Sequence, residues 1–357
     1  MISDYPKQSV PRVSIVMPMF NAASYLHEAI ESILTQSFRD FEFIIIDDGS
    51  SDESVRIVNS YTDARIKLTE LDRHRGITPA LNTGFSIARG EYIARMDADD
   101  VSLPKRLERQ ASWLDEHPAI GVLGTAVDVM DKSGRSVMSM VRHTELAYDP
   151  LSVRWRLCFE APLFHPSVML RRSLSLSYGG FAAEDEHAED YGLWLRYAQH
   201  CDIANLSDIL LRYRWHDENI TNSDFARRLE GTARVRCRAI TEFLPDAPYC
   251  AVPDPAVHAY PNPESDYLFL RTLGPLLRAF IRRMRPSFRD RIRLRTFTGR
   301  RVLRVTRHRL RSPRFWRFLF LAFWLDPFYI GSISALRRRA RVIANWPFRL
   351  GQESVGD

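Results

Sequence analysis

The 357-residue chain has a composition that is ordinary for a globular protein, with 45% hydrophobic and 26% charged residues. Its length allows one large domain and an appendage. The four cysteines are scattered without the spacing of metal ligands, which argues against a disulfide framework and predicts reduced thiols in a cytosolic compartment. No basic region followed by an apolar stretch opens the chain, so no secretory signal is predicted.

The net charge of +6 hides a strong asymmetry along the chain. Residues 271–349 contain 22 arginines, no lysine and two acids, which gives this segment a charge of +20. Residues 1–270 then carry −12, once the two acids after Arg349 are counted. An acidic body joined to a basic tail indicates two surfaces with different partners.

The first part of the chain alternates strand and helix signals. Apolar runs predict strands at 13–17 (ended by Pro18), 41–46, 65–68 and 92–96. Helical spacing predicts helices at 22–36, 54–61 and 78–88, the last begun by Thr78-Pro79 and ended by Gly90. This alternation predicts an α/β fold with a mainly parallel sheet and helices on both faces.

After residue 118 the pattern is less regular. Strands are predicted at 119–131 and 133–141 about a Ser133-Gly134 turn, at 167–170 and at 209–215, and helices at 189–198 and 223–243. Six prolines between Pro245 and Pro263 exclude regular structure and mark a boundary. We therefore divide the chain into a domain at 1–243, a proline-rich linker at 244–264 and an arginine-rich helical region at 265–357.

Two acidic strings follow predicted strands. They are Asp47-Asp48-Gly49-Ser50-Ser51-Asp52 and Asp97-Ala98-Asp99-Asp100. Carboxylates at the carboxyl ends of neighbouring strands lie in the crevice where open α/β sheets bind ligands. Asp97 and Asp99 share a side and suit a hard divalent cation, Mg²⁺ or Mn²⁺, that also binds a diphosphate. The alternative is an acidic turn that caps the helix after Pro104.

In the first string, one carboxylate can accept a hydrogen bond from a nucleobase N–H, and Gly49 permits a close backbone approach. A turn whose aspartates and serines cap a helix is an alternative, and both interpretations can hold for different atoms.

Glu189 and Asp190 begin an amphipathic helix, where the helix dipole favours negative charge. Capping alone explains them, but if this helix end faces the crevice, Asp190 can take a proton from an acceptor hydroxyl. His216 ends a strand and is a candidate third metal ligand or phosphate contact, with a structural role as the alternative. His165 precedes a strand, with a functional role and a structural role as its two alternatives.

Seven segments in this order resemble a family 2 glycosyltransferase of the GT-A fold, over residues 13–219. They are residues 13–18 with Phe20-Asn21, 34–38, 47–52, 80–84, 88–100, 189–196 and 213–216. The resemblance implies a Rossmann-like GT-A domain, to which the basic α-helical region at the carboxyl end is added.

The resemblance also implies roles for individual residues. Pro18, Phe20 and Asn21 would line the nucleotide pocket, and Asp48 would bind the base, which is uracil in many members. Asp97 would lie near the ribose and diphosphate, and Asp99 would hold the metal. Asp190 would be the general base of an inverting, single-displacement transfer.

One departure concerns the nucleotide site. Many relatives have Asn-x-Gly where this chain has His74-Arg75-Gly76. Arg75 is our candidate for a contact with the donor diphosphate.

The expected function is the metal-dependent transfer of a sugar, with inversion, from a nucleotide donor to a saccharide or lipid-linked saccharide. The expected donor is a UDP-sugar, and the expected setting is bacterial surface polysaccharide synthesis. A polyprenyl-phosphate sugar synthase is the alternative within enzymes. A non-catalytic nucleotide-sugar-binding protein is the alternative outside them.

The basic tail contains a 19-residue apolar and aromatic stretch at 318–336, about the length that spans a bilayer. Asp326-Pro327 interrupts it and arginines lie on both flanks, which favours helices lying on an anionic leaflet over a span. A partner-binding helical bundle is the alternative, and the acidic body disfavours nucleic acid. We expect a cytoplasmic protein, peripheral on the cytoplasmic face of the inner membrane.

Overall fold

The computed structural model of the chain describes residues 10–139, 148–216, 225–245, 263–307 and 318. These residues fall into two compact units, Met1–His258 and Ala259–Asp357. The linker expected at 244–264 lies largely outside the described residues, so the division at 1–243 and 265–357 stays a prediction.

One sheet organises the first unit. Its strands are β1 (Val13–Met19), β2 (Phe41–Asp47), β3 (Ile66–Glu70), β4 (Tyr92–Arg95), β5 (Val101–Ser102), β6 (Ile120–Met130), β7 (Ser136–Ser139), β8 (Met169–Arg171) and β9 (Asp202–Arg214). They run in the order β3-β2-β1-β4-β8-β6-β9-β5, with β7 paired to β6. The first four are parallel, β8 is antiparallel to β4 and β6, and β6 and β9 are parallel.

The helices of the first unit cover both faces of this sheet. They are α1 (Ala23–Leu34), α2 (Ser54–Asn59), α3 (Ile77–Ile87), α4 (Arg106–Glu116), α5 (Pro150–Leu157), α6 (Arg172–Tyr178), α7 (Glu189–Tyr197) and α8 (Phe225–Phe243). Every residue of β1 and β2 is buried. On one face, Ile15 and Met17 of β1 join Ile30 of α1 in the core. On the other, Gly84 of α3 lies against Val16. The predicted α/β layering is confirmed.

Strand β1 is longer than predicted and contains Pro18 instead of ending before it. The carbonyl of Val16 accepts a hydrogen bond from Met96, so the nitrogen two residues later also points toward the β4 side. Strand β4 ends at Arg95, which is paired with Val16. Pro18 therefore lies beyond the last ladder bond, where its missing N–H costs little.

The predicted start of α3 at Thr78-Pro79 is wrong, because the helix begins at Ile77 with Gly76 at its cap position. The N–H of Gly76 donates to the carboxylate of Asp48 at 2.8 Å, which fixes the chain at that point. Pro79 then lies in the first helical turn, where backbone N–H groups have no intrahelical acceptor and proline is tolerated.

Two other differences arise after residue 140. Ser167 closes a short 3₁₀ turn, His165–Ser167, instead of beginning a strand, and its hydroxyl accepts a hydrogen bond from the N–H of Thr125 at 3.1 Å. Helices α5 and α6 were not predicted. The start of α5 does carry a local signal, since Asp149 caps it and Pro150 is its first residue.

The second unit contains two helices in its described part, α9 (Pro263–Met284) and α10 (Phe288–Arg307). They confirm the expected helical region at the carboxyl end. The apolar and aromatic stretch at 318–336 lies outside the described residues apart from Phe318. Among the helices that are described, none has the length and apolar character needed to cross a bilayer.

A buried carboxylate connects the strands at the amino-terminal edge of the sheet. Glu42 of β2 is 3% exposed and accepts hydrogen bonds from the Ser14 hydroxyl at 2.6 Å and from the backbone and side chain of Arg89. Lys67 of β3 also pairs with it. Burial by itself would raise the pKa of Glu42, but the hydrogen bonds from Lys67, Ser14 and Arg89 outweigh it and lower the pKa to about 2.

We expect Glu42→Gln to lower the free energy of unfolding by about 2–4 kcal/mol at neutral pH, because the amide cannot replace the charged acceptor of several donors. Since the folded pKa lies below that of the unfolded chain, this stability is present above about pH 4.5 and is lost as the pH falls toward 2. Urea unfolding at several pH values measures the difference. The exposed neighbour Glu91 is the control, and an equal loss in Glu91→Gln would contradict this account.

Candidate active site

The first acidic string forms a turn at the carboxyl end of β2. Asp47 accepts a hydrogen bond from the N–H of Ser50 at 3.1 Å, and Asp52 accepts one from Ala23 at the start of α1 at 3.0 Å. Gly49 has φ +77°, and a Cβ there would lie 2.7 Å from the backbone of Arg73 and His74. The close approach that Gly49 permits is therefore made by the chain's own 73–74 loop.

Asp48 is held by the segment before α3. Its two carboxylate oxygens accept the backbone N–H groups of Arg75 and Gly76, each at 2.8 Å, and the His74 Nδ1 lies 2.8 Å from Oδ2. The ring of His74 stacks on Phe20, with centroids 3.9 Å apart. Asp48, His74 and Phe20 thus form one cluster at the ends of β1 and β2.

The other predicted nucleotide-binding residues lie close to this cluster in sequence. Pro18 is buried within β1, and Phe20, 44% exposed, follows the strand. Asn21 has φ +48°, and its side-chain oxygen accepts the N–H of Ser51 at 2.9 Å, so it connects the two turns. The guanidinium of Arg75 pairs with Asp72, and its backbone N–H meets Asp48. Its contact with a diphosphate stays a prediction.

The second acidic string brings three carboxylates together after β4. Asp97, Asp99 and Asp100 offer oxygens that all lie within 4.8 Å of one another. Asp97 pairs with Arg95, while His216 Nε2 lies 3.0 Å from Asp99 Oδ2. The structure thus brings together Asp97, Asp99 and His216, the candidate metal ligands of the sequence, and adds a third carboxylate, Asp100, that was not among them.

Strand β9 contacts this acidic cluster through Arg214. The backbone N–H of Arg214 donates to Asp100 Oδ1 at 2.8 Å, and its side chain donates to the Asp99 carbonyl at 2.7 Å. The Arg214 guanidinium also lies over the ring of Tyr25 and pairs with Glu28 of α1. The loop that carries the carboxylates is therefore fixed from both β9 and α1.

The residues of this cluster fit a hard divalent cation. Asp100 is fully buried, and its Oδ2 has no hydrogen-bond donor among the described residues. Burial, then the charges of Asp99 and Asp97, raise the pKa of Asp100 well above its usual value. Crowded carboxylates with an unsatisfied oxygen are stabilised by Mg²⁺ or Mn²⁺, which prefer oxygen ligands, and His216 adds a nitrogen that Mn²⁺ accepts.

A second pair of carboxylates lies at the first turn of α7. Burial, reinforced by the charge of Asp190, raises the pKa of Glu189 to about 7. Burial also raises the pKa of Asp190, whose Oδ1 accepts the N–H of Tyr191 at 2.7 Å. Near neutral pH the two acids hold a proton more readily than isolated carboxyls do, which suits a group that accepts a proton from a hydroxyl.

The segment before α7 is fastened by α8. Arg238 of α8 donates to both oxygens of the buried Asp185 at 2.8 Å. A Cβ at Gly192 would lie 1.9 Å from Asp185, and a Cβ at Gly231 would lie 2.9 Å from the carbonyl of Glu186. These two glycines let α7 and α8 close on the loop that leads to Glu189 and Asp190, so the acidic helix end has a fixed position.

Arg95 links the two acidic groups, although it was not among the residues predicted for the site. This side chain is 3% exposed, pairs with Asp97, and lowers the pKa values of Asp100, Glu189 and Asp190 against the stronger effect of their burial. An arginine at the last position of a buried strand, directly before an acidic string, was the available signal. Its guanidinium supplies positive charge to carboxylates of both β4 and α7.

His165 does not join these acidic groups through any contact in the described part of the chain. Its ring packs against Phe181 and Trp194, and burial lowers its pKa well below the usual value. His165 is therefore a neutral packing residue beside α7, in agreement with the structural alternative.

The sequence of the chain is similar to those of known glycosyltransferases. The family model "Glycosyl transferase family 2" matches residues 14–176. The putative glycosyltransferase EpsE of Bacillus subtilis is 30% identical over 263 residues, which cover 71% of this chain and 90% of that protein. The O-antigen biosynthesis glycosyltransferase WbnJ of Escherichia coli is 32% identical over 243 residues, covering 65% and 92%.

Solved structures show the same fold. Residues 1–349 of TarS from S. aureus, bound to UDP-GlcNAc, give a TM-score of 0.53 at 18% identity and cover 87% of this chain and 90% of that one. The mannosyltransferase PcManGT of Pyrobaculum calidifontis, in complex with GDP-Man and Mn²⁺, gives 0.52 at 21% identity, covering 90% and 88%. At these identities the likeness concerns the fold, which confirms the predicted GT-A architecture.

The family model and the relatives together identify the chain as a glycosyltransferase. The chain belongs to glycosyl transferase family 2, as its sequence resemblance indicated.

We expect Arg95→Met to lower the free energy of unfolding in metal-free buffer by about 3–5 kcal/mol, because it leaves the Asp97 carboxylate without its buried counter-charge. Urea unfolding followed by circular dichroism measures the loss. Arg109→Met is the matched control, since Arg109 is half exposed and pairs with Asp208 at the surface at 3.3 Å. A loss in Arg95→Met no larger than in this control would contradict the role given to Arg95.

Proposed function

We propose that the chain is a metal-dependent, inverting glycosyltransferase that moves a sugar from a nucleoside-diphosphate donor to a saccharide or lipid-linked saccharide. The observation that carries this proposal is the pair of acidic groups around Arg95, with Asp97, Asp99 and Asp100 on one side and Glu189 and Asp190 on the other. One group suits a donor diphosphate with its cation, and the other suits an acceptor hydroxyl.

The donor side offers a cluster that suits the base of a nucleotide sugar. Phe20, Asp48 and His74 form a cluster with an aromatic face and a carboxylate, which suits a nucleobase, and a UDP-sugar is our first choice. TarS has been solved with UDP and with UDP-GlcNAc, and PcManGT with GDP-Man, which supports a nucleotide sugar as the class of donor.

The metal would be held by Asp99, with Asp97, Asp100 and His216 as the further ligands within reach. When bound, Mn²⁺ or Mg²⁺ neutralises negative charge on a diphosphate leaving group. The Mn²⁺ bound by PcManGT supports this choice of cofactor.

On the acceptor side, Asp190 takes the proton of the attacking hydroxyl. The acceptor oxygen forms a bond to the anomeric carbon while the bond from that carbon to the diphosphate oxygen breaks, and the nucleoside diphosphate leaves with the electron pair. Attack and departure occur on opposite faces, so the anomeric configuration inverts. Burial and the charge of Asp190 raise the pKa of Glu189 to about 7, so Glu189 holds a proton more readily than an isolated carboxyl does.

The biological setting that we propose is the synthesis of a bacterial surface polysaccharide. The name of WbnJ, an O-antigen biosynthesis enzyme, supports this setting. The charge of +20 on residues 271–349 supports attachment to the anionic cytoplasmic face of the inner membrane, where a lipid-linked acceptor is available. We assign the catalysis to residues 1–243 and the attachment to residues 265–357.

We expect Asp190→Asn to lower kcat by about 10²–10⁴-fold with little change in donor binding, because the amide cannot accept the hydroxyl proton. Release of nucleoside diphosphate in the presence of acceptor measures kcat. Glu184→Gln makes the same chemical change on the exposed part of the same segment and should leave kcat within about twofold of the native enzyme.

Turnover of Asp190→Asn near the native rate would contradict the general-base role. That result would favour a polyprenyl phosphate as acceptor, since a phosphate needs no base to become a nucleophile.

We expect Asp99→Asn to abolish the Mn²⁺-dependent part of nucleoside-diphosphate binding, because it removes a carboxylate ligand that lies against His216. Calorimetric titration of UDP and GDP, each with and without Mn²⁺, measures this part directly. Asp128→Asn, a change in a carboxylate of β6 that pairs with Arg212, is the matched control. Donor binding that needs no metal and survives in Asp99→Asn would contradict the proposed site.

A further inference from the structure

The turn between α9 and α10 presents an apolar pair surrounded by arginines. Phe288 is 77% exposed and Ile292 is 46% exposed, and they lie one helical turn apart on α10. Both are among the few large apolar side chains that the described residues expose to this degree. Large exposed apolar side chains grouped together, and rimmed by polar groups, mark an interaction site.

The rim of this pair is strongly basic. Residues 282–295 contain seven exposed arginines and one acid, Asp290, which is half-buried. The seven are Arg282, Arg283, Arg285, Arg289, Arg291, Arg293 and Arg295. Asp290 is occupied within the turn, since it bonds to Ser287 and pairs with Arg293 at 3.5 Å.

The turn itself is well fixed. Arg285 has φ +47° and its N–H donates to the carbonyl of Ile281 at 3.0 Å, which ends α9. The hydroxyl of Ser287 accepts the N–H of Asp290 at 3.2 Å, which caps the start of α10. Leu273, Leu277 and Leu294 are buried, so each helix uses a different face for the core. Phe288 and Ile292 thus take no part in the core packing of the two helices. They lie exposed at the tip of the helical hairpin.

We propose that this hairpin tip, Arg282–Arg295, is a docking surface for an anionic lipid bilayer, with Phe288 and Ile292 inserted at the interface and the arginines over the headgroups. Apolar anchors flanked by cations are what an interfacial helix needs, and the complementary charge is that of acidic phospholipids. The inference rests on the membrane attachment proposed above, to which it gives a site, and it is independent of the transferase chemistry.

The test uses the full chain and sedimentation with vesicles of phosphatidylcholine, either pure or with about one third phosphatidylglycerol. We expect the native chain to partition onto the anionic vesicles and to be released by salt. The double variant Phe288→Ser/Ile292→Ser should lower this partition by about tenfold or more, because the anchors no longer bury apolar surface. Arg285→Gln and Arg289→Gln should each lower the partition onto anionic vesicles by about fivefold and leave the partition onto pure phosphatidylcholine unchanged.

Matched controls lie in the first unit. Leu176 is 66% exposed on α6, and Arg135 is exposed beside Asp131, so Leu176→Ser and Arg135→Gln make the same chemical changes away from the hairpin. Both should partition as the native chain does. All variants should keep native kcat with a soluble acceptor, which separates loss of docking from loss of transfer.

Several results would overturn the proposal. If the native chain binds vesicles and Phe288→Ser/Ile292→Ser binds them within twofold as well, the tip is not the docking surface. If the native chain ignores anionic vesicles, membrane attachment and its site are both wrong, although the transferase chemistry stands. If the variants lose binding to a duplex RNA probe, or lose self-association in sedimentation equilibrium, while vesicle binding is unchanged, the surface serves nucleic acid or a second copy of the chain.

Discussion

The ion pair of the buried Arg95 with the half-buried Asp97 is the interaction on which the rest of the site depends. The site gathers acids from two distant parts of the sequence, and their mutual repulsion and burial would push them toward their neutral forms. Arg95 is the positive charge that opposes this effect on Asp100, Glu189 and Asp190 as well. Because it stands at the end of β4, between the two groups, it favours the ionised form of carboxylates on both sides.

The sheet topology explains how these groups meet. Strand β4 lies beside β1 and leads into the second acidic string. Strand β9 pairs with β6 and places Arg214 and His216 against this string, although they lie 114 to 117 residues later in the chain. The loop before α7 is closed by Arg238 and by two glycines that leave room for α8. Long-range pairing therefore positions the site, while the local sequence of each turn supplies its chemistry.

Much of this could be predicted from the sequence, for physical reasons that apply locally. Buried strands β1, β2 and β4 are largely continuous apolar runs, and such runs alone are enough to place the acidic strings at the carboxyl ends of β2 and β4. Asp97 and Asp99 are candidate ligands because of their i, i+2 spacing, and His216 is a candidate because it ends a strand.

The remainder depends on contacts between distant segments, which no local pattern encodes. Asp48 binds the backbone of Arg75 and Gly76, a contact that also moves the start of α3. Pro18 stays within β1 because β4 ends beside it. The roles of Arg95 and Asp100 arise only when β4, β9 and α7 are brought together, and the exposed tip at Phe288 becomes visible only once α9 and α10 have used their other faces for packing.

The proposed single displacement joins a donor side and an acceptor side in one site, with Asp190 facing the hydroxyl and the diphosphate leaving from the opposite face. The stereochemistry of the product tests this claim most directly. Proton NMR of the anomeric centre of the transferred sugar reports its configuration as the reaction proceeds. The account predicts a configuration opposite to that of the donor, and a product that retains the donor configuration would contradict it.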